Sequence, residues 1–109
     1  MKGRALTKEE KEFMDRICQL GCIVCRNNGY YTPQVSPHHM DGKTKEGAHF
    51  KVIPLCGKHH QEPDNHKPAR WVSRHGGKGN GKAAFEKAYG KEEDLLYQCK
   101  ELIVSSSNV

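Results

Sequence analysis

Residues 50–62 read Phe50-Lys51-Val52-Ile53-Pro54-Leu55-Cys56-Gly57-Lys58-His59-His60-Gln61-Glu62. The short apolar run from Phe50 to Leu55 predicts a strand, and Cys56 to Glu62 can start a helix. Upstream, Val35 to Met40 predicts a second strand, because Pro33 and Pro37 bias the residues before them toward extended geometry. The polar loop Asp41 to Gly47, with two glycines, joins the two. The local order is therefore strand, strand, helix.

Cys56-Gly57-Lys58-His59 repeats the spacing of Cys22-Ile23-Val24-Cys25, with 30 residues between Cys25 and Cys56. A two-residue gap lets both side chains of a pair reach one ion around a tight turn, and two such knuckles complete a tetrahedron of S and N ligands suited to zinc. Cys22, Cys25, Cys56 and His59 are the expected ligands, with His60 as an alternative to His59. A closed Cys3His site is structural, and it would tie the N-terminal region to the strand, strand, helix unit. The competing reading is a set of buried thiols with unrelated histidines. Cys18 and Cys99 fall on apolar helix faces and are expected in the core.

Composition agrees with a fold that needs such a tie. The chain has 109 residues, of which 35% are hydrophobic and 28% charged, with 11 Gly, five Cys and seven His. That length predicts a single domain, residues 1–109, with a small core. No apolar run approaches the roughly 18 residues that cross a bilayer, and charged residues rather than an apolar stretch follow Met1 to Leu6. A cytoplasmic protein without membrane association is expected. In a reducing compartment an odd number of cysteines with a C-x-x-C pair favours metal over disulfides. The net charge of +5 suits a nucleic-acid partner.

Helices flank the central unit. Thr7 to Leu20 predicts one, with Thr7 as cap, Glu10 completing a capping box, Phe13, Ile17 and Leu20 on one face, and Gly21 as the stop. Lys82 to Tyr89 and Glu92 to Val104 predict two more, interrupted at Gly90, and Ser105 to Val109 is expected to be disordered. The fold class is thus α+β, a zinc-stabilised core with N- and C-terminal helices.

The remaining histidines suggest chemistry. His38 and His39 are adjacent at the expected end of a strand, before Met40-Asp41-Gly42, so one can face a metal while its neighbour faces a substrate-bound water. A neutral imidazole, with an ordinary pKa of about 6.5, takes a proton from water at pH 7. His49, His60, His66 and His75 are further candidates.

The set Cys22-x-x-Cys25, Pro37-His38-His39-Met40 and Ile53-Pro54-Leu55-Cys56-x-x-His59-His60 resembles the HNH endonucleases of the ββα-metal fold, in their zinc-containing phage branch. The stretch from His38 through Asp41-Gly42-Lys43-Thr44, Gly47-Ala48-His49 and Pro54-Leu55-Cys56 to Ala84-Phe85-Glu86-Lys87-Ala88-Tyr89-Gly90 is similar, more specifically, to the RecA-dependent nuclease family Ref. The resemblance runs from Leu6 to Cys99. It implies a phage or prophage protein of the bacterial cytoplasm, a monomer or weak dimer, that hydrolyses DNA phosphodiester bonds in recombination or DNA processing and depends on RecA. By the same resemblance His39 is the general base, and His38 and His60 are ligands of a catalytic divalent cation, Mg²⁺ or another. The third ligand is open: the position one helical turn after His60 is Asp64, and His66 and His75 compete. The middle Asn of the motif is missing, and His49 stands nearest to take over its positioning role. Lys43, Lys45, Lys51 and Arg74 are candidate phosphate contacts, as are Lys78 and Lys82 in the glycine-rich loop.

Two other readings are weighed by single residues. Gly76 to Lys82 nearly spells a nucleotide-binding P-loop, but Ala83 stands where Ser or Thr must hold Mg²⁺. A non-catalytic zinc module that binds nucleic acid or protein would use the knuckles and the positive charge, yet would not need a His-His pair ending a strand.

Overall fold

A computed structural model describes residues 6–40, 42 and 47–107 of the chain. Helix α1 spans Lys8–Gln19, and its start is the predicted capping box: the Glu10 amide donates to Thr7 Oγ1 at 3.1 Å, and the Thr7 amide donates to Glu10 Oε1 at 2.9 Å. Gly21 turns the chain with φ +76; a Cβ there would sit 2.8 Å from the Thr32 carbonyl oxygen and 3.0 Å from Tyr31 Cε1. Only glycine combines that left-handed backbone with that close approach.

The next segment departs from the expected tight turn. Residues Ile23–Asn27 form a short helix, α2, with Cys22 as its N-cap. Strands β1, Val35–His39, and β2, Val52–Cys56, pair antiparallel, with Val35 opposite Cys56 and His39 opposite Val52. Pro37 faces Pro54 in this register. Two prolines can face each other only at a non-hydrogen-bonded pair, where the missing N–H groups would point away from the ladder. Met40 continues the ladder by donating to the Lys51 carbonyl at 3.0 Å. The second strand therefore starts at Val52, two residues later than predicted, because Ala48–Phe50 close a 3-10 turn that opens on the left-handed Gly47. The loop expected at Asp41 to Gly47 lies largely outside the described residues, and Lys43 and Lys45 lie there too.

All five residues of β2 are buried, since α1, α2 and the last helix, Glu92–Ser107, cover it. A strand buried on both faces reads as a continuous apolar run rather than an alternating one, as Val52 to Leu55 does. Helix α3, Gly57–His60, follows directly and completes the ββα unit; α4 covers Lys82–Tyr89 and α5 Glu92–Ser107. The architecture is a small α+β ββα-metal core with flanking helices. Helix α5 corrects the expectation of a disordered tail from Ser105: neither Gly nor Pro interrupts it before Ser107, and serine is only mildly unfavourable in a helix.

Ile17, Ile23, Val24, Ile53, Leu55 and Phe85 centre the core, with Leu95, Leu96 and Cys99 from α5. Cys99 is fully buried as expected, whereas Cys18 is half-buried at the edge of α1. No helix among the described residues is long and apolar enough to cross a membrane.

Candidate active site and metal centres

Cys22, Cys25, Cys56 and His59 converge into one buried group. Both knuckles are built alike: Cys22 caps α2 and Cys25 lies three residues on, while Cys56 caps α3 and His59 lies three residues on. The i, i+3 spacing at a helix start thus aims each pair at the same point, with backbone N–H groups of the two helix starts nearby to favour thiolate. A tetrahedral zinc with ordinary bond lengths requires S···S edges of about 3.8 Å and S···N edges of about 3.6 Å. The structure has Cys25 Sγ to Cys56 Sγ at 3.8 Å, and His59 Nδ1 at 3.5, 3.6 and 3.2 Å from Cys22, Cys25 and Cys56 Sγ. The cluster has the size and donor set for zinc.

Burial pushes the Cys22 thiol up to about 12. Burial, helped by Lys58, pushes His59 down to about 4. Such a group is expensive to charge by itself, and a bound cation is what makes thiolates stable there. Tyr89 of α4 meets the His59 ring edge-on at 5.2 Å and accepts the Val72 amide through its hydroxyl at 2.9 Å, closing the far side.

The second group lies across the sheet. His38, His60 and His75 place one ring nitrogen each within 4.8 Å of the others, with ring centroids 5.1 to 5.4 Å apart. His38 comes from β1 and His60 from the end of α3. His75 comes from the long segment after α3, which is strapped to that helix: Arg74 N donates to the His59 carbonyl at 2.8 Å, and His75 N to that of His60 at 2.9 Å. Buried Ser73 adds hydroxyl bonds to the Lys58 and Glu62 carbonyls. Burial and then the neighbouring His38, His75, Arg74 and His39 push His60 down to about 4, and burial with His38 and Arg74 lowers His75. Both imidazoles stay neutral at pH 7, with a lone pair to give. Three such donors can hold one divalent cation and leave its other positions open.

Two of the three rings are oriented from behind. His60 Nδ1 is 2.9 Å from Ser36 Oγ. His38 Nε2 is 2.6 Å from Glu92 Oε2, which also accepts from Arg74 Nε at 2.9 Å. Burial opposes the Glu92 charge, but the bonds from His38 and Arg74 outweigh it and hold the carboxyl below its ordinary range. An ionised carboxylate only accepts, so the proton of this bond sits on His38 Nε2 and Nδ1 keeps its lone pair. Glu92 is a functional residue that sequence reasoning misses. It opens α5 in the acidic run Glu92-Glu93-Asp94, which reads as favourable charge at a helix start; nothing in that pattern tells which of the three acids is buried.

Strand alternation sends His39 to the other face. Its Nε2 is 2.9 Å from Nδ1 of His49, carried by the 3-10 turn. The adjacent pair therefore serves two environments without any bend in the strand. His49 is buried, and among the described residues its Nε2 has no hydrogen-bond partner.

The other candidates are placed apart. His66 is exposed and bonded to Asp64 Oδ1 at 2.8 Å and to Arg70 at 2.9 Å, so neither it nor Asp64 joins the three imidazoles. Arg74 is committed through Nε to Glu92. Lys51 and Lys82 line one open cleft of about 400 Å³ beside Glu92, and Lys78 is exposed in the glycine-rich loop.

A protein-family model described as recombination enhancement, RecA-dependent nuclease matches residues 6–104. The match takes in both knuckles, both strands and all the histidines, and on it the chain belongs to the RecA-dependent nuclease family.

Proposed function

We propose that the chain is a single-domain HNH-type endonuclease that hydrolyses DNA phosphodiester bonds with a divalent cation and a histidine base. The observation that supports this most is the division of labour at the end of β1: His38 turns to two further neutral imidazoles, and its neighbour His39 turns to a polar face with a partner of its own. A non-catalytic zinc module has no use for the second group.

His38, His60 and His75 would hold the cation, and Cys22, Cys25, Cys56 and His59 a structural zinc. When bound, the cation supplies Lewis-acid stabilisation to the charge that develops on the phosphate and the departing oxygen. His39 takes the proton from the attacking water. With the proton of the His39–His49 bond on His39 Nε2, Nδ1 is the nitrogen that takes the water proton, and His49 holds the ring. His49 then buries an unpartnered N–H, at a cost of about 1–3 kcal/mol. Lys51 and Lys82, in the cleft beside Glu92, suit the phosphates of the bound strand.

Three imidazoles suit ions that favour nitrogen better than Mg²⁺, which prefers oxygen. The test is nicking of supercoiled and single-stranded DNA with Mg²⁺, Mn²⁺ or Zn²⁺, each with and without RecA and ATP. Cation-dependent cleavage in at least one arm is the expected result, and its absence from all of them would overturn the reading.

Glu92 gives a quantitative check. Glu92→Gln keeps the shape but loses the charge that holds His38, so the affinity for the catalytic cation falls by about 10- to 100-fold. Calorimetric titration of the zinc-loaded protein reads this, and unchanged affinity would leave Glu92 a purely structural residue.

A further inference from the structure

The face that carries the zinc knuckles also carries an open cleft of about 440 Å³, lined by Tyr30, Tyr31, Lys58, Arg70 and Trp71 among others. That size is in the range of ligand-binding sites. Tyr30 and Tyr31 are 71% and 68% exposed. Large aromatics left in water side by side mark a surface that meets something. Trp71 is half-buried, with Nε1 donating to the Glu62 carbonyl at 2.9 Å; Lys58 Nζ and Arg70 Cζ lie 5.1 and 5.0 Å from its ring centroid. Among the described residues no carboxylate lines the cleft. Arg70 is partly neutralised by Asp64 at 3.5 Å, whereas Lys58 has no ion pair among the described residues.

We propose that this cleft is a stacking site for unpaired bases of single-stranded DNA, separate from the cleavage centre. It rests on the DNA reading above. Aromatic faces beside cations are what an unpaired strand requires: the rings stack on any base, and the cations meet the backbone. Paired bases inside a duplex cannot reach the tyrosines. The cleft is also correctly placed. Lys58 lies two residues before His60 on α3, and Arg70 and Trp71 lie on the segment whose continuation, Arg74 and His75, bonds to His59 and His60. A strand held here would pass over α3 to reach the three imidazoles on the other side.

Trp71 is the only tryptophan in the chain, so its fluorescence reports on this cleft. The zinc-loaded chain, without added catalytic cation, is titrated with a 15-nucleotide oligo-dT and with a 15-base-pair duplex. Oligo-dT should quench Trp71 and bind more tightly than the duplex, with an affinity that falls as salt rises. Tyr30→Ala with Tyr31→Ala should weaken oligo-dT binding about tenfold or more, while Tyr→Phe at both positions retains it. Tyr30→Ala alone, at the more exposed position, repeats the test should the double variant melt early. Equal binding of the duplex, or oligo-dT binding that ignores the tyrosines and Trp71, would overturn the proposal, as would quenching by RecA protein but not by oligo-dT. Cleavage of plasmid DNA without oligo-dT binding removes this inference and leaves the nuclease. Tyrosine-dependent binding without cleavage under any cation does the reverse.

Discussion

Replacing His39 with alanine should reduce cation-dependent DNA cleavage by about 10²- to 10⁴-fold while the zinc content and the cooperative melting transition persist. The geometry singles out this imidazole. His38 is 2% exposed and its Nε2 is taken by Glu92, so it has neither access to water nor a spare proton acceptor once Nδ1 serves the cation. His60 and His75 are turned to the same group. His39 is half-exposed and, unlike those three, lies on the other face of the strand, where His49 holds it at 2.9 Å. The substitution also costs stability, because the buried His49 ring loses its hydrogen bond to His39; about 1–3 kcal/mol is expected. Nicking rates are therefore measured well below the melting temperature of the variant, with metal content determined on the same sample. His49→Ala should spare substrate binding and slow the chemical step, since it leaves the base present but unaligned. Cleavage by His39→Ala at the parental rate would show that another group takes the proton.

Much of this arrangement is legible in the sequence where a short-range rule governs it. The Thr7–Glu10 capping box, the helix Lys82–Tyr89 and, apart from its first two residues, the strand expected at Phe50–Leu55 opposite Val35–Met40 follow from caps, glycine stops and apolar runs, each decided by a few neighbouring residues. The converging donors Cys22, Cys25, Cys56 and His59 are legible as two equal spacings. What spacing does not show is that each pair sits at the start of a helix, because the Cys22–Cys25 half-site is too short to display a helical period. The three-imidazole group is only partly legible. His38 and His60 lie on elements whose pairing the sequence announces, but His75 arrives through a strap of backbone bonds from Arg74 and His75 to α3, and backbone bonds leave no trace in residue type. His66 is nearer to His60 in sequence, yet its contacts with Asp64 and Arg70 carry it elsewhere. Glu92 is hidden for the same reason, since its burial depends on where α5 docks against β1.

The larger effect on stability is expected at Cys25. A structural zinc contributes about 10–16 kcal/mol in small zinc-binding peptides, as much as the whole stability of an ordinary domain. Here the ion would join α2 to α3 and so hold the N-terminal region against the β1–β2 unit, in a chain whose hydrophobic fraction is only 35%. Cys25→Ala leaves three ligands and a hole in the tetrahedron. A loss of about 5 kcal/mol or more lowers the melting temperature of a domain this size by about 20 °C or more, and the variant should show no cooperative transition much above room temperature. Chelation of the parent protein should produce the same collapse. Falling pH should favour it, because protons compete with the metal for all four ligands. Cys99→Ala is the matched control: Cys99 is buried in the same apolar core but is not one of the four converging donors, so it should cost only the few kcal/mol of a small core cavity and keep the zinc. A cation held by the three imidazoles should leave first on mild chelation, having fewer donors and an open side, so the tightly held zinc should number about one per chain. A folded Cys25→Ala that still holds one zinc per chain would show that this cluster is an ordinary set of core thiols, and the small core would then have to account for the fold alone.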